Sequence, residues 1–439
     1  MKWSKYNLLY NNSQGENFLY NTRSLTMVKL DDCFYSQLTQ IEKNKLDINT
    51  LLPDEIEYLR ENKMVVEMRE DQNFIEQLKY LKYIKSFQNE TLSLIITPTL
   101  LCNFACPYCY ESGLSKKSMS EDIQDKIINF INSHVGKCKN LQITWHGGEP
   151  LIAYDVIKSL LNKIKQESKL PLDDHQMVSN GFLFNEEVCE FFIDTKLKFL
   201  QITIDGTEEN HNKNRIHKSG IPTYDRIIKN IDIITQKMPN CLVAVRVNVH
   251  NGNKEDFPII YKELMKRWEG RNCYVYPAFV ENNASCKVAC CSPKEKGSFL
   301  ISLKKNHNID QPRDITPRIK PGVCTASFQN SYVIDSTGLI YKCWAHVGQK
   351  DRAIGNVDDK NIKYGIVAQF MLGSDKFSDE KCLQCKMLPL CPGGCSLNRI
   401  EYQQKGIAYD PCPLDESNWG EYLDTFFRKK QKESVAIDV

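Results

Sequence analysis

This chain is predicted to adopt an α/β fold, with a parallel sheet at its centre and a smaller module on either side. Three observations lead there. Between about residues 90 and 280, six β-rich runs alternate with amphipathic helical segments, and repeated strand–helix units build a parallel sheet with helical crossovers. The 439 residues amount to about three domains at roughly 150 residues each. Cysteine is abundant, at 18 residues, and clustered. Hydrophobic residues make up 41% and charged residues 26%, which excludes a disordered or membrane-spanning chain. A formal net charge of +2 lacks the basic footprint of a dedicated nucleic-acid binder. No run of about 18 apolar residues suits a membrane span, and Met1–Tyr6 does not open a signal peptide. The expected location is therefore cytoplasmic, where clustered thiols stay reduced and bind metal rather than pair.

Residues 1–85 read as a module of their own. Two β-type runs, Tyr6–Tyr10 and Asn17–Tyr20, flank the turn-rich Asn11-Asn12-Ser13-Gln14-Gly15 and predict a hairpin. Helices are expected over Asp31–Ile41 and Pro53–Glu61, with Met64-Val65-Val66 returning as a wing strand, in a winged-helix-like outline. In the middle region the expected strands are Leu92–Thr97, Leu141–Trp145, Gln176–Ser179, Leu200–Ile204, Leu242–Val247 and Cys273–Ala278. The helices between them fall near 120–134, 152–166, 185–194, 223–236 and 256–267. Such a sheet is either open and doubly wound or a partial barrel, and in both the loops after strands carry the chemistry. Residues 281–320 read as polar and irregular, and 321 to about 412 as loop-rich. Residues 416–439 read as a terminal helix or tail with a solvated basic run.

Directly after the first barrel strand stands Cys102-Asn103-Phe104-Ala105-Cys106-Pro107-Tyr108-Cys109. Three thiolates on one loop can surround an iron–sulfur cube and leave one iron open, as a catalytic metal needs. The alternative, a zinc knuckle, lacks a fourth ligand: His134 and His146 are the nearest imidazoles, and neither has zinc-finger spacing. The C-x3-C-x2-C loop resembles the signature of radical S-adenosylmethionine (SAM) enzymes, whose fold is a partial (β/α)6 barrel. The resemblance extends over about residues 90–280. Trp145-His146-Gly147-Gly148-Glu149-Pro150 after the second strand resembles the family's GGEP segment, which implies that Gly147, Gly148 and Glu149 hold the SAM amino group. Ser179 and Asn180 after the third strand match the ribose-side segment. Thr203, in Thr203-Ile204-Asp205-Gly206, and Arg215 match residues that contact SAM, and Tyr108 matches the aromatic residue against the adenine.

A second cysteine group follows: Cys324, thirteen residues, Gly338, four residues, Cys343; then Cys382-x2-Cys385-x5-Cys391-x3-Cys395, sixteen residues and Cys412. It resembles the SPASM extension, and every gap fits. That resemblance implies two auxiliary 4Fe-4S clusters, an outer one on Cys382, Cys385, Cys391 and Cys412, and an inner one on Cys324, Cys343 and Cys395. Residue 318, where related sulfatase-maturing enzymes have the fourth inner ligand, is Arg318. Cys286, Cys290 or Cys291 could supply it, or the iron stays open to a substrate thiolate. The expected domains are thus 1–85 leader-binding, 86–290 radical SAM barrel, 291–320 bridging, 321–415 SPASM and 416–439 helix or tail.

The resemblance implies three 4Fe-4S clusters, SAM as cosubstrate, an external flavodoxin- or ferredoxin-type electron donor, and a peptide substrate. The N-terminal module implies a precursor peptide with a leader, bound as an added strand, and the balanced charge and lack of a long apolar run lead us to expect no nucleic-acid or membrane partner. The expected activity is reductive SAM cleavage and hydrogen abstraction that installs a thioether, C–C or C–O crosslink in a ribosomally made peptide. Formylglycine formation is the alternative, but those enzymes carry an aspartate directly after the second SPASM cysteine, and here that residue is Trp344. His346 is a possible general base. A non-catalytic iron–sulfur sensor with a winged-helix reader would not need Glu149 or Arg215.

Overall fold

The computed structural model describes the chain apart from residues 89, 112–116, 282–285, 310–316, 323, 360, 407–411, 413–414, 436–439 and the side chains of 428–435. In chain order the elements are β1 (Lys2–Trp3), β2 (Asn7–Asn11), β3 (Asn17–Asn21), β4 (Thr26–Leu30), α1 (Asp32–Glu42), α2 (Pro53–Glu61), β5 (Val65–Val66) and α3 (Glu70–Phe87). Then come β6 (Thr91–Ile96), α4 (Glu121–Asn132), β7 (Asn140–Trp145), α5 (Tyr154–Glu167), β8 (Leu172–Ser179), α6 (Glu186–Asp194), β9 (Leu197–Ile204) and α7 (Glu208–Asn214). They continue with α8 (Tyr224–Lys237), β10 (Leu242–Val249), α9 (Phe257–Arg267), β11 (Cys273–Phe279) and α10 (Pro293–His307). The last are β12 (Ser331–Ile334), β13 (Leu339–Tyr341), β14 (Gly355–Asn356), α11 (Tyr364–Leu372), α12 (Glu380–Gln384), α13 (Ser396–Lys405) and α14 (Trp419–Val435). Among the described residues no helix is long and apolar enough to cross a membrane.

The chain divides into two compact units. One comprises Phe87–Cys291 and Thr325–Met371; the other comprises Met1–Ser86, Ser292–Cys324 and Leu372–Val439. The first holds a nine-stranded sheet in the order β11-β10-β9-β8-β7-β6-β12-β13-β14. From β6 to β11 each strand lies parallel beside its predecessor. A doubly wound sheet requires a reversal of strand order, and the six strands β6 to β11 have none among themselves, so their winding is that of a barrel. Among the described residues β6 and β11 do not pair, which leaves the barrel open. Both faces of its strands are buried, as Val243, Ala244 and Val245 are on β10. The helices cover the sheet through apolar stripes. Ile227, Ile228, Ile231 and Ile234 of α8 are buried at helical spacing, each stabilising the layer by roughly 2 kcal/mol.

The stretch expected to be loop-rich adds to this sheet. β12 lies parallel on the outer edge of β6, with Ile334 opposite Ile96, and β13 and β14 follow antiparallel. Residues 281–320 are not wholly irregular either. Ser292 and Glu295 form a reciprocal capping box, Pro293 opens α10, and Asn308 closes it in the left-handed region.

In the other unit, β2, β3 and β4 form an antiparallel sheet with the expected hairpin. β5 pairs with β1 as a separate two-stranded ribbon rather than joining that sheet. Leu19 packs with Leu38, Ile41, Leu59 and Met64. Tyr10 and Tyr20 pack with Ile301, Trp419, Tyr422 and Leu423. Tyr6 packs with Phe74, Leu78, Phe377 and Leu388. The N-terminal elements therefore share their core with α10, α14 and the cysteine-rich segment.

Candidate active site at the barrel mouth

Cys102, Cys106 and Cys109 sit on the loop that leaves β6. The backbone N–H of Phe104 donates to Cys102 Sγ at 3.4 Å, so a local turn already presents this sulfur as an acceptor. The following residues zip against the segment after α7: Ala105 N–H donates to Ile216 O, and Lys218 N–H to Asn103 O. Burial pushes the Cys102 thiol up to about 12, and raises Cys106 and Cys109 as well. Bare thiols here stay protonated, and a bound metal reverses that by deprotonating them. Among the described residues no three His, Cys, Asp or Glu side chains converge on one ion.

The two glycines after β7 are explained by their neighbours. A Cβ on Gly148 would lie 2.3 Å from Leu101 O, and one on Gly147, at φ +131°, 2.5 Å from Thr99 O. Glu149 N–H donates to Leu101 O at 2.8 Å. Their smallness lets the β7 loop lie directly on the backbone of the cysteine loop.

Glu149 is fully buried. Its Oε1 accepts from Ser179 Oγ (2.9 Å) and Leu151 N–H (3.1 Å), and its Oε2 accepts from Asn180 N–H (2.7 Å). Burial raises its pKa against these bonds and the field of Arg215. Three of about four acceptor positions of a carboxylate are thus used within the chain, tying the β7 loop to the β8 loop. Asn180 Nδ2 extends the tie, donating to Asn103 Oδ1 at 2.7 Å and lying 4.0 Å from Cys102 Sγ.

Arg215 organises the opposite side. It is 8% exposed, and its guanidinium lies 5.3 Å from the Phe104 ring centroid and 3.5 Å from Tyr108 Oη. Tyr108 Oη donates to Asp205 and accepts from Asn248 Nδ2. Burial opposes the Arg215 charge, but Cys106, Tyr108 and Asp205 outweigh it and hold the group protonated. Asp205 is pushed up to about 6 by burial, against the pull of Arg215. His211 supports the corner by accepting from Asp205 N–H, while its other nitrogen meets Thr223. Thr203 is buried near the end of β9. Asn248 is a site residue that sequence reasoning missed. Its signal was a polar side chain, two residues after Arg246, near the end of the otherwise apolar strand Leu242–Val249.

Around Arg215 and the cysteine loop, the buried polar atoms without a hydrogen-bond partner among the described residues include Arg215 Nε, Asp205 Oδ1 and Asn103 Nδ2. Orphaned buried groups are costly and point to a missing ligand. One acceptor and two donors, one of them cationic, suit a zwitterionic ligand.

The segment carrying Cys286, Cys290 and Cys291, the candidates for the fourth inner ligand, also reaches this mouth. Lys287 N–H donates to Pro107 O, Cys286 and Cys290 sulfurs lie 3.5 Å apart, and Cys291 Sγ meets Asn251 Oδ1 at 3.4 Å. His146 stacks on Trp344, with centroids 5.3 Å apart and planes within 2°. Its Nδ1 lies 3.8 Å from Glu111 Oε1. Burial pushes Glu111 up to about 7 and His146 down to about 4. Glu111, absent from the sequence reading, had only its place two residues after Cys109 to mark it. His346 is buried against Phe370.

Of the second cysteine group, Cys343 belongs to the barrel unit and Cys324, Cys382, Cys385, Cys391, Cys395 and Cys412 to the other. Cys385 feels the charge of Cys382 and Cys391. Each of these three sulfurs accepts a hydrogen bond: Cys382 from Arg399 (3.1 Å), Cys385 from Met387 N–H (3.4 Å) and Cys391 from Gly393 N–H (3.3 Å).

Comparison with known proteins places this geometry. Residues 96–264 match the Radical SAM superfamily. The serine-type anaerobic sulfatase-maturating enzyme of Bacteroides thetaiotaomicron is 24% identical over 70% of this chain and 82% of its own length. The radical SAM cyclopropyl synthase TigE of Paramaledivibacter caminithermalis is 22% identical over 90% of this chain and 84% of its own. Among solved structures, Streptococcus suis SuiB bound to its precursor peptide SuiA matches with a TM-score of 0.53 at 14% identity, covering 95% of this chain and 99% of that one. The open barrel, with three cysteines on the loop after its first strand, is a radical SAM domain, and the chain that carries it is homologous to the anaerobic sulfatase maturases and to TigE.

Proposed function

We propose that the enzyme matures a ribosomally made precursor peptide by an intramolecular thioether, C–C or C–O crosslink, working in the cytoplasm with a flavodoxin- or ferredoxin-type donor. The observation that carries this reading is the extent of the likenesses. In sequence the sulfatase maturase matches 70% of the chain and TigE 90%; in structure anSMEcpe covers 79% of it and the peptide-bound SuiB 95%. Cys102, Cys106 and Cys109 would hold the SAM-binding 4Fe-4S cluster. SAM bound there supplies a 5′-deoxyadenosyl radical that takes a hydrogen atom from an unreactive carbon. The Arg215 guanidinium, with its unused Nε–H, suits the SAM carboxylate. Glu149 keeps one acceptor position for the amino group and spends the others fixing Ser179, Asn180 and the loop beneath.

The cysteines at 382, 385 and 391 support auxiliary clusters, because each sulfur accepts a hydrogen bond, as cluster thiolates do. β4 supports leader binding. It is an outer strand of the three-stranded sheet, with no neighbour on its far side among the described residues, and a free edge accepts an added strand. Formylglycine formation is less well supported: the residue after Cys343 is Trp344, whose indole stacks on His146 and cannot accept a proton as a carboxylate does.

The test is anaerobic reconstitution with dithionite, SAM and the precursor peptide encoded beside the gene. The expected outcome is 5′-deoxyadenosine together with a peptide lighter by two hydrogens. Met27→Pro and Val28→Pro place proline on the two alternate sides of β4, and the outward one should weaken leader binding with uncoupled SAM cleavage intact. A peptide of unchanged mass beside ample 5′-deoxyadenosine would sink the crosslinking assignment.

A further inference from the structure

Arg399 lies on the first turn of α13 and is 5% exposed, yet it makes no surface contact that would explain an arginine there. Each arm of its guanidinium has a partner. Nε donates to Gly393 O at 2.9 Å, Nη1 pairs with Asp379, and Nη2 donates to Cys382 Sγ at 3.1 Å. Asp379 is itself fixed, since it caps α12 by accepting from Lys381 and Cys382 N–H. Both the orientation of Arg399 and the backbone of Cys382 thus depend on one carboxylate. All these residues belong to the same unit.

A guanidinium cannot lose its proton in a protein, so this is a permanent buried charge on one sulfur. An iron–sulfur cluster gains one negative charge on reduction. A fixed cation in contact with a ligand sulfur favours the reduced state, and an anion disfavours it; hydrogen bonds to sulfur act in the same sense as the cation. The Cys385 and Cys391 sulfurs receive only neutral backbone N–H groups. Against those two sulfurs, the asymmetry is the charge-assisted bond at Cys382.

We infer that Arg399, held by Asp379, raises the reduction potential of the cluster on Cys382, Cys385, Cys391 and Cys412 and makes it the accepting end of the enzyme's electron path. The inference rests on the reading that these cysteines hold an auxiliary cluster. The electron is the one released when the substrate radical closes its new bond and gives up a proton. The cluster takes up that electron and no atom, and returns it to an external acceptor of the ferredoxin class. Arg399 touches neither substrate nor SAM and acts through the cluster, as a positioning residue.

The experiment is an anaerobic redox titration followed by electron paramagnetic resonance. It uses the full chain with Cys102, Cys106 and Cys109 replaced by alanine, so that only auxiliary signals remain. Arg399→Gln should move the midpoint of one auxiliary cluster to more negative potential and leave the other unmoved. Asp379→Asn, which removes an anion and keeps the cation, should move the same midpoint the other way, and Arg399→Lys should fall between Arg399→Gln and wild type. General loosening of the fold cannot shift a potential in opposite directions. Unmoved midpoints in iron-replete variants, or two shifts of the same sign, overturn the inference. If Arg399→Gln cannot keep its iron, the sign of the Asp379→Asn shift decides by itself. A parent protein that binds no iron at all overturns the auxiliary-cluster reading instead, and iron analysis separates that failure from an unmoved potential.

Discussion

At the scale of single residues, the site is governed by close approach and by buried charge. Gly148 illustrates the first. Alanine there puts a methyl carbon 2.3 Å from Leu101 O, against backbone that cannot swing aside. Overpacking of this kind costs about 1–3 kcal/mol, and here the strain falls on the loop carrying Cys102. Gly148→Ala should therefore lower the melting temperature and reduce iron retention at the SAM-type site. Gly365→Ala, where nothing lies within 4 Å, is the control and should stay within about 0.5 kcal/mol of wild type. Calorimetry with iron analysis on both variants checks this; equal behaviour would mean that the loops do not bear on each other. Buried charge was only partly legible. Arg215 and Glu149 stood in recognisable motifs. Asp205, Asn248 and Glu111 acquire their setting from chain distant in sequence, as when Asn248 reaches Tyr108 from β10.

At the scale of elements, strands of the barrel could be read because most carry a short apolar run rich in Val, Ile and Leu, as β6 and β10 do, and helices because their apolar stripes are regular. What escaped reading obeys other signals. Ser292-Pro293-Lys294-Glu295 carries the capping box and first-turn proline of α10, yet α10 buries few apolar residues and has little periodicity to notice. β12 to β14 are too short to announce themselves; β12 pairs with the edge that β6 offers, and β13 and β14 follow on it. The β7–β8 pair makes a testable electrostatic point. His175 of β8 accepts from Trp145 Nε1 at 3.0 Å and meets Thr195 through its other nitrogen. Burial pushes it from 6.5 down to about 4. As pH falls below about 6.5 the unfolded chain takes up this proton first, so stability present above that pH is lost on the way to about 4. A shift of this kind is worth about 1.4 kcal/mol per pH unit at most. His175→Gln keeps an acceptor for Trp145 without a titrating group, and its urea midpoint should fall less between pH 7 and pH 5 than that of wild type. Parallel curves would remove His175 from the account of acid sensitivity.

At the scale of the whole molecule, the chain passes repeatedly between its two compact units. The boundaries expected at 290, 320 and 415 follow composition. The units follow contact, assigning Thr325–Met371 to the barrel and Leu372–Val439 to the N-terminal elements. A linear reading cannot foresee this, because Trp419 and Tyr10 share a core only once both ends are folded. If the proposed clusters all fill, iron and sulfide should each approach about twelve per chain. Replacing Cys382, Cys385 and Cys391 together should remove about four irons and leave SAM cleavage without coupled product. A wild-type count held near four after full reconstitution would remove both auxiliary clusters.

The seat of β12 on β6 bears on how the protein is made. Ile96, on the first barrel strand to leave the ribosome, meets Ile334 only after the rest of the barrel has been translated. Throughout that interval one rim of the nascent sheet stands open, a template for pairing with another chain. Slowing translation just before residue 331 should lengthen the exposure and raise aggregation. The same pause placed late enough for β12 and β13 to have cleared the ribosome should be harmless.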